Sequence, residues 1–398
     1  MGFFDKIFKK GKKAEKEAAP AEKKAAPAAA PAAAPSAGGY VANSPIEGYV
    51  PGLGAPANGK IKIALYWAAA CGGCDVSILD SDEKVLNIGA MADIVMWPIA
   101  ADGKEKDIEA MEDGSITVSL INGAVRNSEN EHMVKLLRKK SKLVIAYGTC
   151  ACFGGTPALA NLVGDGKEIL DYVYDKTPSS ADFQAAYHKD KPVIPQTSTQ
   201  VPEGEVTLPV FYDTVKSLDQ VIDVDYSVPG CPPTQETIGK LLNALVDFVY
   251  NGVPLPPKGT MIGVEDKTLC DECPRHKENR RIEAIYEPYQ VNVDPDLCLL
   301  DQGILCLGAA TVAGCGAKCT IVGQPCRGCY GPTKAVQEQG ASIFTAIASL
   351  YPVLDDDPTC GEDKIADVMS NIKDPLGYFY AFTMSKALIK SKVKEGGQ

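Results

Sequence analysis

The sequence predicts an α/β protein: a parallel sheet covered by helices on both faces, then a region organised by metal, all preceded by a tail that does not fold. Three observations carry this. From residue 60 onward, apolar runs of strand length alternate with stretches of helical period. Beyond residue 260 the alternation fades, yet nine of the fourteen cysteines lie at or after Cys270. Residues 1–59 are rich in Ala-Pro and Ala-Lys-Glu and then Gly and Pro, a composition that cannot bury enough apolar area to pack. At about 150 residues per domain, the 398-residue length suits two folded domains and a tail. The expected divisions are 1–59, 60–258 and 259–398.

The elements follow in order. Ile61 to Trp67 is a near-continuous apolar strand, and Asp75 to Leu86 has helical character. Ala92 to Ile99 and Ile116 to Ile121 are the next two strands. Glu129 to Lys140 is a charged amphipathic helix, Leu143 to Tyr147 a fourth strand, Val221 to Val228 a fifth, and Thr234 to Tyr250 a helix with one apolar face. Strands separated by helices imply parallel pairing. The pattern weakens between residues 164 and 220, which reads as an elaborated insertion.

Charge and targeting signals narrow the function classes. A net charge of −11 lacks the basic footprint of a nucleic-acid binder. Residues 1–59 hold eight lysines and five acids, a net of +3, so the remainder carries −14. No stretch approaches the ~18 apolar residues of a membrane span. The start lacks a long apolar region with a cleavage site, and Lys6 breaks the acylation pattern after Gly2. A cytoplasmic protein is expected. Phe3, Phe4, Ile7 and Phe8 would share one face of a short helix, which reads either as a membrane-surface or partner-docking helix or as part of a solvated tail.

In a reducing compartment, clustered cysteines read first as metal ligands. Cys71/Cys74, Cys270/Cys273 and Cys326/Cys329 are CxxC pairs, and Cys315 and Cys319 are four apart. Zinc uses the same spacings and stays open as an alternative. Cys231, Cys298 and Cys306 stand singly between the pairs, which suits thiolate cages around iron–sulfur clusters better. Ligands of open parallel sheets sit beyond the carboxyl ends of the strands. Strand 61–67 runs into Cys71-Gly72-Gly73-Cys74, strand 143–147 into Gly148-Thr149-Cys150, and strand 221–228 into Pro229-Gly230-Cys231-Pro232-Pro233. Cys71, Cys74, Cys150 and Cys231 therefore form one expected set. The next eight divide most simply by order: Cys270, Cys273, Cys298 and Cys306, then Cys315, Cys319, Cys326 and Cys329. Cys152 and Cys360 are left over. Gly54 to Lys60 imitates a phosphate-binding loop, but Ile61 replaces the Ser or Thr and a strand follows instead of preceding it. The three histidines are scattered: His132 is expected at the surface, His276, three residues after Cys273, reads either as a residue beside that set or, with more weight, as an unrelated one, His188 stands apart, and no nucleophile–base arrangement stands out.

Cys71-Gly72-Gly73-Cys74-Asp75, Gly148-Thr149-Cys150-Ala151 and Pro229-Gly230-Cys231-Pro232-Pro233 resemble the proximal-cluster motifs of nickel–iron hydrogenase small subunits. Pro325-Cys326-Arg327-Gly328-Cys329-Tyr330-Gly331-Pro332-Thr333 and Phe379-Tyr380-Ala381-Phe382-Thr383 are similar to the gamma subunit of the F420-non-reducing (methyl-viologen-reducing) hydrogenases. The resemblance covers residues 60–398. It implies a flavodoxin-like domain followed by an irregular iron–sulfur domain. It also implies three [4Fe–4S] clusters: proximal on Cys71, Cys74, Cys150 and Cys231; distal on Cys270, Cys273, Cys298 and Cys306; medial on Cys315, Cys319, Cys326 and Cys329. Many such subunits have histidine where Cys270 stands and lack one medial cysteine.

The resemblance further implies a large subunit that holds the nickel–iron centre, with this chain conducting electrons and not splitting H2 alone. An iron–sulfur adaptor and a heterodisulfide reductase are the implied acceptors. Lys318 and Arg327, beside the medial cysteines, would favour the reduced state. Two other readings are a small subunit coupled to NAD(P) or sulfur reduction and a non-catalytic cluster-bearing structural or sensor protein. The related subunit of respiratory complex I has adjacent cysteines where this chain has Cys71 and Cys74, and it lacks the eight-cysteine region.

Overall fold

The computed structural model describes residues 49–187, 193–280, 282, 284–336, 338–350 and 370–389. The expected tail up to residue 48, His188 and Cys360 lie outside the described residues. Five strands form one sheet: β1 (Ile61–Trp67), β2 (Ala92–Met96), β3 (Ile116–Asn122), β4 (Ser141–Tyr147) and β5 (Tyr226–Val228). Their order is β2-β1-β3-β4-β5, and every neighbouring pair is parallel. This is the flavodoxin-like order, with its switch point between β1 and β3.

The strands are apolar throughout because both faces are covered. Along β1, Ile63 and Leu65 enter one core and Ala64 and Tyr66 the other. Along β4, Ile145 and Tyr147 face the first core, and Val144 and Ala146 the second. Helix α4 (Gln235–Tyr250), capped by the Thr234 hydroxyl, supplies Ile238, Leu241, Leu242, Leu245 and Val246 to the first core. Helix α3 (Ser128–Lys140) supplies Met133, Val134 and Leu137 to the second. Asn127 caps α3 at Asn130 N (2.8 Å); its first turn carries Glu129 and Glu131 and its last Arg138, Lys139 and Lys140, so both ends suit the helix dipole.

Some expected boundaries move. The helix expected over 75–86 is two helices, α1 (Gly73–Leu79) and α2 (Lys84–Met91), because Asp82 between them takes a left-handed conformation, φ 52°. The strand expected over 92–99 ends at Met96, where Trp97 O turns back to accept from Ala100 N and Ala101 N. The fifth strand is only Tyr226–Val228; upstream, Ser217 and Gln220 close a 3-10 turn by reciprocal side-chain bonds. Residues 49–59, expected as tail, reach the folded part: Val50 is buried in the first core and Tyr250 Oη donates to Gly54 O at 2.7 Å. The insertion contains a hairpin, Ser198–Val201 with Gly204–Thr207, and Phe211–Lys216, which pairs antiparallel with Val125–Asn127.

Beyond residue 260 the chain is mostly turns and short helices around a third core. Cys306 and Cys326 are buried in that core, and Cys273, Cys298 and Cys315 pack against it. The last described stretch returns to the loop after β4: Gly155 N donates to Phe382 O (3.2 Å), Ser385 Oγ to Phe153 O (2.7 Å), and Lys386 pairs with Asp219 (2.6 Å).

One buried carboxylate ties sheet to helix. Asp225 accepts from Arg138 (2.7 Å) and Val144 N (2.8 Å) and pairs with Lys258. Burial pushes its pKa up, but the bonds from Lys258, Arg138 and Val144 outweigh burial and hold it below the usual carboxylate range. A depressed pKa contributes stability above the unfolded value of about 3.9, and loses it as pH falls through the folded value. Asp225→Asn should cost about 2 kcal/mol at neutral pH and flatten the acid limb of stability. Urea titrations from pH 7 downward check this; equal acid limbs would contradict it.

Candidate metal centre

Three parallel strands end level and deliver thiols to one edge. β1 leads into Cys71 and Cys74, β4 into Cys150, and β5 into Cys231. Backbone bonds hold the three loops together: Ala68 N to Asn122 O (2.8 Å), Gly148 N to Val228 O (2.7 Å) and Thr149 N to Gly230 O (2.8 Å). Gly72 starts α1 at φ 84°, under the Trp67 indole, and Gly73 N points to Cys71 Sγ at 3.4 Å. Two glycines leave room for sulfur. A Cβ on Gly148 (φ 83°) would lie 2.2 Å from Cys74 Sγ, and one on Gly155 (φ 57°) would lie 2.5 Å from Cys150 Sγ.

The thiols perturb one another. Burial first, then the charges of Cys150, Cys231, Cys152 and Cys71, push the Cys74 thiol far above its ordinary range. Burial, then Cys231 and Cys71, pushes Cys150 up to about 12. Burial and Cys71 raise Cys231. Such thiols resist ionisation alone, and a cationic iron–sulfur core that takes the place of their protons relieves both burial and repulsion. The four residues expected from the strand ends thus meet. Cys152 does not join them as an edge thiol: it is buried in the second core and its Sγ donates to Ala146 O at 3.3 Å.

The later cysteines perturb one another both within and between the two expected sets. Burial raises Cys270, and the thiols of Cys298 and Cys273 raise it further. Cys306 is raised by burial and then by Cys326, with Cys270 also acting on it. Cys298 N donates to His276 O at 2.8 Å, which fixes the turn that carries Cys298. A Cβ on Gly308 would lie 3.3 Å from Cys270 Sγ and 3.7 Å from Cys306 Sγ. In the other group, burial and Cys315, Cys231 and Cys319 push Cys329 up to about 12. Burial, Cys329 and Cys315 do the same to Cys326, against the donor Gly328 N (3.4 Å); the Cys326 thiol in turn donates to Thr311 Oγ1 at 3.6 Å.

The cysteine-bearing loops also touch in series. Thr149, beside Cys150, donates its Oγ1 hydrogen to Cys329 O, and Cys326 N donates to Cys306 Sγ at 3.3 Å.

Tetrahedral zinc at about 2.3 Å from sulfur draws thiolates to about 3.8 Å of one another. Among the described residues, the only trio of His, Cys, Asp or Glu donor atoms within 4.8 Å of one another is Glu105, Glu109 and His132, so no three of the described thiols stand that close together.

Other expected residues are placed as follows. His276 shares the backbone of the second group, but its imidazole faces solvent beside Glu278 at 3.3 Å. His132 is at the surface, as expected, paired with Glu105. Lys318 pairs with Glu236 (2.8 Å), and Arg327 stacks on the Tyr378 ring at 4.1 Å. Three groups were missed by sequence reasoning. Asp75, directly after Cys74, is fully buried and accepts from Trp97 Nε1 (2.9 Å) and Asn122 Nδ2 (2.8 Å), which pins α1 to the sheet. Tyr330, directly after Cys329, accepts from Thr234 N at 3.0 Å and bonds Thr237 at 2.9 Å. Thr149 lies between the first and last groups. Their adjacency to cysteines was the available signal.

Residues 71–245 match the family described as NADH ubiquinone oxidoreductase, 20 Kd subunit. The chain is 37% identical over 342 residues to a subunit of the F420-non-reducing hydrogenase of Methanothermobacter marburgensis, spanning 85% of this chain and 99% of that one. It is 37% identical over 341 residues to the iron-sulfur subunit of the F420-non-reducing hydrogenase of Archaeoglobus profundus, spanning 84% and 99%. A solved NAD+-reducing [NiFe]-hydrogenase chain covers 50% of this chain and 97% of its own length, with 28% identity and a TM-score of 0.39. The chain belongs to the family of these F420-non-reducing hydrogenase iron–sulfur subunits. Membership implies iron–sulfur clusters, with which the thiol sets and glycine cradles agree, and other hydrogenase subunits as partners. No helix among the described residues is long and apolar enough to cross a membrane.

Gly148→Ala should displace Cys74 and lower the iron bound, whereas Cys152→Ala should keep its iron and lose only about 1 kcal/mol of packing. Iron and acid-labile sulfide per chain, with a denaturant titration, check both.

Proposed function

We propose that this chain is the electron-transfer small subunit, of the gamma type, of a cytoplasmic nickel–iron hydrogenase. Residues 60–258 hold the proximal cluster on Cys71, Cys74, Cys150 and Cys231. Residues 259–398 hold the medial cluster on Cys315, Cys319, Cys326 and Cys329 and the distal cluster on Cys270, Cys273, Cys298 and Cys306. The observation that carries this reading is the serial contact of the cysteine-bearing loops, through Thr149 Oγ1, beside Cys150, to Cys329 O and through Cys326 N–H to Cys306 Sγ. That order supports a relay from proximal through medial to distal.

Each bound [4Fe–4S] cluster would accept and release one electron at a time. The chain's own residues do the rest. The glycines admit sulfur close to backbone, N–H groups donate to the sulfurs of Cys71, Cys306 and Cys326, and the cores exclude water. Arg327, held on Tyr378, adds a positive charge beside the medial set. The nickel–iron centre belongs to a large subunit. Trp67, Val76 and Leu79 are 40–47% exposed near exposed Cys71 and Cys231, which supports docking of that subunit at the proximal edge. The acceptor is an iron–sulfur adaptor leading to a heterodisulfide reductase. The delta subunits of an NAD-reducing hydrogenase and a sulfhydrogenase match less of the chain, 50% and 73%, at 28% and 25% identity, so NAD(P) or sulfur coupling is the weaker reading.

Anaerobic purification of the native complex tests this. The expected result is about twelve iron per chain, with nickel in a co-purifying larger chain and no H2 oxidation by the isolated small subunit. Zinc without acid-labile sulfide would overturn it. Cys326→Ser should abolish the medial signal in electron paramagnetic resonance while leaving the proximal one.

A further inference from the structure

One buried hydroxyl lies where the two parts of the chain meet. Thr149 is 1% exposed and stands between Gly148, whose missing Cβ makes room for Cys74 Sγ, and the ligand Cys150. Its Oγ1 donates a short hydrogen bond to Cys329 O. The same oxygen accepts from Gly230 N at 3.1 Å, and Thr149 N donates to Gly230 O at 2.8 Å. A hydroxyl has one proton to give and lone pairs to accept with. Here the proton goes to the loop of Cys329 and a lone pair takes the N–H that precedes Cys231. One side chain thus joins three cysteine-bearing loops: its own with Cys150, the β5 loop with Cys231, and the turn with Cys329.

Nothing else near this junction, among the described residues, duplicates the bond. Tyr330 attaches the Cys329 turn to the start of α4 through Thr234 and Thr237. It therefore restrains the turn against the helix; toward the β4 loop the turn has the Phe153 ring packed on Gly331 and, as its hydrogen bond, that of Thr149. Without the Thr149 hydroxyl, Cys329 O and Gly230 N would both lack this partner in a dry interior, a cost that loops relieve by moving apart.

We infer that Thr149 is a positioning residue that sets the separation between the cluster of Cys71, Cys74, Cys150 and Cys231 and that of Cys315, Cys319, Cys326 and Cys329. The inference rests on the relay reading of the thiol sets. It assigns Thr149 no contact with substrate and no ligand role; it acts through the loops it joins.

The test uses the complete purified complex as wild type, T149V and T149S. Val keeps the shape and removes donor and acceptor; Ser keeps both. Iron content comes first, then the magnetic interaction between the two reduced clusters in electron paramagnetic resonance, and the rate at which the second cluster is reduced after rapid mixing with H2. T149V with full iron should lose most of the inter-cluster interaction and reduce its second cluster at least severalfold more slowly, while T149S matches wild type. T149V indistinguishable from wild type would overturn the inference. If T149V loses iron, T149S decides: full iron with a lost interaction would overturn it, because the hydroxyl is retained, and full iron with wild-type interaction would support it. A wild-type complex with no interacting pair would refute the relay reading instead, before Thr149 is questioned.

Discussion

The structure depends on parallel strands that end level. Because β1, β4 and β5 run in one direction, the residues that follow them arrive at the same edge, and cysteines more than 150 positions apart become neighbours. Parallel pairing requires helical crossovers, and those crossovers cover both faces with apolar side chains. The edge is consequently dry on its inner side. Burial and crowding together push the thiols of Cys74, Cys150 and Cys231 up, so the sheet that gathers these cysteines also makes their ionisation costly.

Much of this was legible from sequence. The strand over 61–67 matches its expected limits, and the arrival of Cys71, Cys74, Cys150 and Cys231 at one sheet edge follows from a rule about strand ends. Legibility failed where local pattern does not decide. Asp82 breaks a helix through one left-handed residue, and apolar periodicity has no term for that. Val221 to Tyr226 looks like strand, but a side-chain turn at Ser217–Gln220 consumes its start. Beyond residue 260 the backbone follows its cysteines and short turns, so periodicity had nothing to report. The grouping of the later thiols needed arithmetic first and neighbours in space second.

The buried polar groups were hidden for a different reason. Asp75 and Thr149 are ordinary loop residues in sequence, since both types favour caps and turns. Their roles exist only once distant donors and acceptors surround them: Trp97 and Asn122 for Asp75, Gly230 and Cys329 for Thr149. Each links a loop bearing a thiol to another segment. The polar interior of this protein is thus spent largely on fixing cysteine geometry, with the apolar cores holding the sheet.

The return of the last described stretch to the β4 loop bears on biosynthesis. Phe153 and Gly155, which follow Cys150 closely, are bonded by Ser385 and Phe382. A ribosome makes Cys71 to Cys231 long before it makes Phe382. The contacts that Phe382 and Ser385 make with the β4 loop therefore become available only after Cys71, Cys74, Cys150 and Cys231 have all been translated, and until then that loop lacks the segment that folds back on it.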